Sequence, residues 1–76
     1  MECPVCSASA RNISSPGFDG KSIDCPNCRA YDVRRAVLER GLLLTLDLKQ
    51  RRDVLERARR RAVPRNARPV IASDLI

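Results

Sequence analysis

Four cysteines are the residues of this chain whose type and spacing point most directly to chemistry. They form two C-P-x-C steps, with eighteen residues between Cys6 and Cys25. A two-residue gap lets one tight turn aim both sulfurs at the same ion, and the proline after the first cysteine fixes φ and pre-shapes that turn. Two such turns supply four thiolates in a closed tetrahedral shell, which favours a structural metal over a catalytic one. The predicted cofactor is one structural Zn²⁺ ion, and its predicted ligands are Cys3, Cys6, Cys25 and Cys28.

Disulfide, redox and iron chemistry are the alternatives for these cysteines. Two disulfides would require an oxidising compartment, and the sequence carries no sign of secretion, because Met1 is followed by Glu2 and Cys3 rather than by a basic and then an apolar stretch. A redox C-x-x-C step normally lies at the start of a helix in a larger α/β domain. Four thiolates also suit iron or a cluster. Zinc is the favoured interpretation, and a cytoplasmic location is the expectation that goes with it.

The composition argues against an enzyme and against a membrane protein. No histidine is present, so the chain offers no Ser–His or Cys–His pair and no imidazole base. The longest run of large apolar residues is Leu42–Leu44, far short of a membrane span. Apart from eight alanines and four cysteines, the chain of 76 residues has only twenty-one apolar residues. So small a core needs a metal ion or disulfides to stabilise it. We therefore expect no enzyme activity, no small-molecule substrate and no membrane partner.

The residues between and after the two cysteine turns predict a β-hairpin and a third strand. Short strands are expected over 11–13 and 21–24, with a turn-rich stretch between them, and the third strand over 30–33. Turn, hairpin, turn and strand is the layout of a zinc ribbon. The expected core residues of this unit are Ile13, Phe18, Ile23, Tyr31 and Val33. Phe18 and Tyr31 would either stack on a nucleic-acid base or cover the metal site, and the shortage of aromatic residues favours the second.

Helical periodicity replaces the strand pattern after the third strand. Asp32 is expected to cap a short helix over 33–40 that ends at Gly41. Thr45 is expected to cap a longer helix over 46–63, which stops at the following proline. The positions that share the apolar face of the longer helix are Leu48, Val54, Leu55, Ala58 and Ala62.

The positive charge of the chain is concentrated in its second half. The formal net charge is +6, of which residues 1–28 contribute −1 and residues 29–68 contribute +8. Four thiolates on one Zn²⁺ would lower the total to about +4. A basic segment of this kind indicates a nucleic acid, either DNA or RNA, or an acidic protein surface as the partner.

Ion pairs one helical turn apart are expected to neutralise part of the longer helix. The pairs with this spacing are Asp53–Arg57, Glu56–Arg60, Lys49–Asp53 and Arg52–Glu56. Arg51 falls among the apolar positions and is expected either to pair with Asp47 or to contact a partner. The arginines expected to stay unpaired are Arg59, Arg61, Arg65 and Arg68. The predicted nucleic-acid or partner contacts are these four arginines with Lys49, Arg52 and Arg57 in support.

Residues 70–76 turn apolar again after a linker over 64–69 that is rich in proline and arginine. A disordered tail seldom holds so many large apolar residues, so this segment is expected to fold back on the domain rather than to serve as a peptide for a partner or as a dimer contact. The predicted organisation is a single domain over 1–76, made of a ribbon over 1–33, a helical extension over 34–63 and a docked tail over 64–76.

The two C-P-x-C steps, with the intervening stretch Gly20–Cys28, give the chain a resemblance to small prokaryotic and phage zinc-ribbon proteins. The phage Com-type translational regulators are one such group, and they are compact zinc-finger proteins that bind messenger RNA. The resemblance covers about residues 3–33 and implies that the four cysteines are zinc ligands. The helical part from residue 34 has no counterpart in it. Small phage proteins of this size also act by binding and disabling a host or defence protein.

The sequence therefore predicts a small α+β metal-stabilised domain, in which a four-cysteine zinc ribbon is followed by two helices. Its predicted function is that of a regulatory binding module that contacts nucleic-acid phosphates through the basic C-terminal helix. The alternative is a small phage-type inhibitor or adaptor that binds a host or defence protein through the same helix and the apolar tail.

Overall fold

A four-stranded sheet carries Cys25 and three of the predicted core residues, Ile23, Tyr31 and Val33. In the computed structural model, which describes residues 1–62 and 68–76, β1 spans Arg11–Asn12, β2 spans Gly20–Cys25, β3 spans Arg29–Arg34 and β4 spans Val70–Ile71. β2 lies between β1 and β3 and is antiparallel to both, whereas β4 runs parallel to β3 at the other edge. The predicted hairpin and third strand are confirmed.

One main helix accompanies this sheet, so the fold is a small α+β unit. Helix α1 spans Arg35–Glu39 and is little more than one turn, while α2 spans Leu48–Arg61 and contacts β4. A 3₁₀ turn over Leu43–Thr45 links the two helices. Neither helix in the described part of the chain has the length and apolar character that a membrane crossing requires. Residue 63, where the longer helix was predicted to end, lies outside the described residues.

Helix α2 begins two residues later than predicted, and Thr45 is not its cap. The N-cap is Asp47, whose Oδ1 accepts a hydrogen bond from the Gln50 backbone N–H at 2.8 Å, while Gln50 Oε1 accepts one from the Asp47 N–H at 3.0 Å. This reciprocal capping box satisfies two backbone donors at once, which a lone threonine cannot do. The Thr45 hydroxyl instead donates to the Leu42 carbonyl at 2.6 Å.

The prediction that Asp32 caps the first helix is wrong as well. Asp32 lies inside β3, opposite Ser22, and α1 begins only after Arg34, which makes no side-chain cap. Strand pairing extends the third strand because it satisfies the backbone groups that a helix start would leave free. The predicted end of this helix is confirmed, since Gly41 follows it with a φ of 59° and donates to the Leu38 carbonyl.

The core lies where β2, β3 and the tail meet α2. Its buried apolar side chains outside the cysteines are Val5, Ala10, Ile23, Tyr31, Val33, Val37, Leu43, Val54, Leu55, Ala58, Ile71 and Leu75. Two predicted core residues fall outside it: Ile13, one residue beyond β1, is 37% exposed, and Phe18 is only half-buried. Leu48 is also 43% exposed because it is the first residue of α2, and Ala62 at the other end is partly buried.

The tail packs against β3, in agreement with the prediction that its apolar residues fold back on the domain. Asp32 donates its backbone N–H to the Pro69 carbonyl at 2.9 Å, and Val33 is the register partner of Ile71. Ile71 is fully buried and Leu75, in a 3₁₀ turn over Ser73–Leu75, is nearly so. Most of the linker that was predicted over 64–69 lies outside the described residues.

Substitution of Gly20 tests how closely β2 and β3 must approach each other. Its φ is +147°, and a Cβ at this position would lie 2.0 Å from the Val33 carbonyl oxygen. We expect Gly20→Ala to lower the free energy of unfolding by about 3 kcal/mol, because both the backbone conformation and the strand spacing would be violated. Urea unfolding of the metal-loaded protein measures this. Gly17→Ala is the matched control, because a Cβ there meets no heavy atom within 4 Å. Equal losses for the two variants would contradict this account.

Candidate metal centre

The four cysteine sulfurs lie together in one cluster. All four Sγ atoms are within 4.8 Å of one another, with Cys3 and Cys28 at 3.9 Å and Cys6 and Cys25 at 3.5 Å. Four sulfurs placed about 2.3 Å from a central Zn²⁺ would be separated by about 3.8 Å. A disulfide would require about 2.05 Å, and all four cysteines are free. The sulfurs therefore have the spacing of a tetrahedral metal site, and the cluster could bind one metal ion.

The two C-P-x-C turns share one backbone feature. In each, the residue after the second cysteine has a positive φ, 67° at Ser7 and 66° at Arg29. Residues other than glycine rarely adopt this region, so its occurrence at both equivalent positions indicates that the turns are built for the same task. The first turn is closed by the Cys3 N–H, which donates to the Ala8 carbonyl at 2.7 Å, and the second is the connection between β2 and β3.

Burial of the cysteine cluster opposes ionisation of its thiols when no cation is bound. Desolvation raises the pKa of Cys25, and it raises that of Cys28, whose pKa the neighbouring sulfurs raise further. Desolvation also opposes ionisation of Cys6, but hydrogen bonds to the Ala8 backbone and to the other thiols outweigh it and lower the pKa of Cys6 to about 7. Cys6 therefore ionises more readily than Cys25 or Cys28, and a cation that compensates the charge would favour loss of the protons from those two thiols. Metal binding therefore releases protons and weakens as the pH falls.

Tyr31 supports the cluster from the core side. It is fully buried, and its hydroxyl lies 3.0 Å from Cys3 Sγ. Burial, and then the contact with Cys3, raise the pKa of Tyr31, so the phenol keeps its proton. A thiolate has no proton to give, so the phenol is the donor once Cys3 is ionised. Tyr31 therefore lies against the cysteine cluster, as expected if it covers a metal site, and as a fully buried side chain it is not free to stack on a base.

Two arginines of α2 bind the backbone of the cysteine turns. Arg59 Nη2 donates to the Cys28 carbonyl at 2.6 Å, and Arg51 Nη1 makes a longer contact of 3.5 Å with the Pro4 carbonyl. Arg51 Nε also donates to the Leu46 carbonyl at 3.0 Å, in place of the expected pair with Asp47. The position of Arg51 among the apolar residues of the wheel was the sequence signal for such an inward contact.

The arginines that were expected to stay unpaired each have an acidic partner where the structure describes them. Arg59 pairs with Glu56, Arg61 Nη1 lies 2.6 Å from Asp74 Oδ2, and Arg68 Nη1 lies 3.2 Å from Asp32 Oδ1. The Arg61 guanidinium holds the pKa of Asp74 below its usual value. Arg65 lies outside the described residues. The prediction of unpaired charge is therefore wrong for these three arginines. Glu56 of the same helix pairs with Arg59, and the tail and β3 supply carboxylates from distant parts of the sequence to Arg61 and Arg68.

The remaining predicted contact residues differ in whether their side chains make a hydrogen bond within the protein. Arg57 Nη1 donates to the Leu75 carbonyl at 3.1 Å, whereas Lys49 and Arg52 are exposed on α2. None of the four ion pairs predicted along the helix occurs among the described contacts, where Glu56 pairs with Arg59 instead. Sequence reasoning also passed over Arg34, whose guanidinium lies 5.6 Å from the centre of the Phe18 ring. Arg34 is the last residue of β3, so the helical periodicity that singled out the other basic residues did not include it.

Comparison with family models, curated proteins and solved structures returns no match to this chain. What the protein does must therefore be inferred from its own residues.

Removal of the Tyr31 hydroxyl tests its role at the cluster. We expect Tyr31→Phe to weaken metal affinity by about tenfold, because a hydrogen bond that stabilises a ligating thiolate is lost while the ring is kept. Competition with a chelator at neutral pH measures this. Ile71→Val is the control, since it trims the buried core without removing a hydrogen bond. An unchanged affinity in Tyr31→Phe, or an equal loss in the control, would contradict the role of the hydroxyl.

Proposed function

We propose that this protein is a four-cysteine zinc-ribbon module that binds nucleic acid through phosphate contacts. The observation that carries the zinc part is the cluster itself, in which four thiols from two like turns have tetrahedral spacing. Four thiolates are a donor set typical of structural Zn²⁺. The held ion would join the two turns, and Tyr31 and Arg59 would support the ligands from behind. A closed shell of this kind, in a chain without histidine, supports a binding role rather than catalysis.

The excess of basic residues supports the nucleic-acid part of the proposal. Residues 29–68 carry a net charge of +8, and α2 ends in three consecutive arginines. Lys49, Arg52 and Arg60 are exposed on α2 and make no ion pair within the described residues. Phosphate contacts of this type give affinity and register but little sequence preference.

A second candidate, a small inhibitor or adaptor that binds an acidic protein surface, is favoured by one feature. Leu44 is 75% exposed and Leu48, four residues later, is 43% exposed, beside the exposed Lys49. Exposed leucines next to a cation suit a protein partner better than a phosphate backbone. Weak binding to generic nucleic acid together with tight binding to one protein would favour this candidate.

Loss of one thiolate tests the structural role of zinc. We expect Cys25→Ser to leave the protein largely unfolded even with zinc present, because metal binding of about 10–16 kcal/mol exceeds what so small a core contributes. Circular dichroism during heating and the dispersion of amide NMR signals measure this. The wild type treated with a chelator should unfold in the same way and refold when zinc is returned. A cooperative, native-like melt of Cys25→Ser would overturn the zinc proposal.

A salt series tests the phosphate contacts. Binding of zinc-loaded protein to generic DNA and RNA oligomers, followed by fluorescence anisotropy, should weaken linearly in log–log form with a slope of several units. Replacing both Lys49 and Arg52 by Gln should lower that slope by about two, because two phosphate contacts are lost. Lys21→Gln, an exposed charge change on β2, is the control. No binding of the wild type at low salt would overturn the nucleic-acid proposal.

A further inference from the structure

A cleft lined by three arginines lies where the end of α2, the end of β3 and the tail meet. Its volume is about 340 Å³. The side chains that line it are Arg34, Arg61, Arg68, Ala58, Ala62, Val70 and Ala72. We call it the arginine cleft. No acidic residue is among the described residues that line it, so each polar side chain there is a cation.

Each arginine of the cleft contacts a side chain that is not among the lining residues. Asp74 holds Arg61, Asp32 holds Arg68, and the Phe18 ring lies against Arg34. A guanidinium has five N–H donors in a rigid fork, so one contact with a carboxylate leaves donors available to a ligand. Anchored side chains also lose less conformational entropy when a ligand binds.

The charges at the cleft favour an anion that accepts several hydrogen bonds. Three guanidiniums against the two carboxylates of Asp32 and Asp74 leave a net charge of +1. Long-range attraction is therefore modest, and directed hydrogen bonds must supply most of the selectivity. A phosphate diester offers two charged oxygens to arginine forks, while its flanking sugars can lie on the small apolar side chains of Ala58, Ala62, Val70 and Ala72.

We propose that the arginine cleft is the main phosphodiester-binding site of this protein, with Arg34, Arg61 and Arg68 as its contact residues. This proposal rests on the proposed nucleic-acid function. It places the main phosphate contacts at the junction of α2, β3 and β4 rather than on the outer face of α2. Arg34 decides between the two locations. It makes no ion pair within the described residues, it lines the cleft, and it lies outside α2.

Arg34→Gln is the test variant, and Arg40→Gln is its matched control. Both residues are exposed arginines near α1, but only Arg34 lines the cleft. With zinc-loaded protein and a labelled single-stranded oligonucleotide, Arg34→Gln should bind about tenfold more weakly, because a charge-assisted contact is lost. The log–log salt slope should fall by about one. Arg34→Lys should keep the slope and lose part of the affinity, because it retains the charge but not the fork. Thermal melts of each variant verify that the fold is kept.

The outcomes separate the cleft from the wider nucleic-acid proposal. A selective loss in Arg34→Gln, with Arg40→Gln close to the wild type, supports the cleft. If the wild type binds but the two variants behave alike, and only the exchange of Lys49 and Arg52 weakens binding, the cleft is overturned while the nucleic-acid function stands. If the wild type does not bind at low salt, the nucleic-acid function fails and the cleft fails with it.

Discussion

The convergence of four sulfurs on one point is the constraint on which the rest of this structure depends. The buried apolar side chains are few, and three of the residues in the core are cysteines of the cluster. A core of this size supplies about 3–5 kcal/mol, whereas a structural metal held by four thiolates supplies about 10–16 kcal/mol. Two turns separated by eighteen residues can be held together by such an ion without a large apolar interior. The sheet then follows, because the second turn joins β2 to β3.

The sequence predicted most local features and the meeting of the four cysteines, but it did not predict which charged or hydrogen-bonding partners come from distant parts of the chain. The cysteine turns, β2 and β3 rest on local spacing and turn residues, and they were predicted. The cap of α2 was also local: Asp47 and Gln50 form a capping-box pair that stands two residues after the expected Thr45. Asp32 was misassigned because a capping residue and a strand residue look alike until the pairing partner is known.

The charges illustrate the same limit in the candidate sites. A helical wheel compares residues three or four apart, so it pairs Arg57 with Asp53. The actual partners of Arg61 and Arg68 lie 13 and 36 residues away, in the tail and in β3. The contact between Tyr31 and Cys3 spans 28 residues. Only the folded chain brings these groups together, so the sequence indicated a basic region without indicating which of its side chains pair within the protein.

Arg68, which pairs with Asp32 of β3, connects the proposed cleft to the strand that follows the second cysteine turn. Arg68 is held by Asp32 of β3, and Val70 and Ile71 pair with the same strand, which begins directly after the metal turn. Without an ion in the cluster, we expect the second turn to lose its link to the first, so that β3 and the tail that docks on it would be held less firmly. Arg61 and Arg68 would then no longer be held at one cleft with Arg34. We therefore expect zinc to be required for the proposed nucleic-acid binding, because the ion would stabilise the strand beside which the three guanidiniums are arranged.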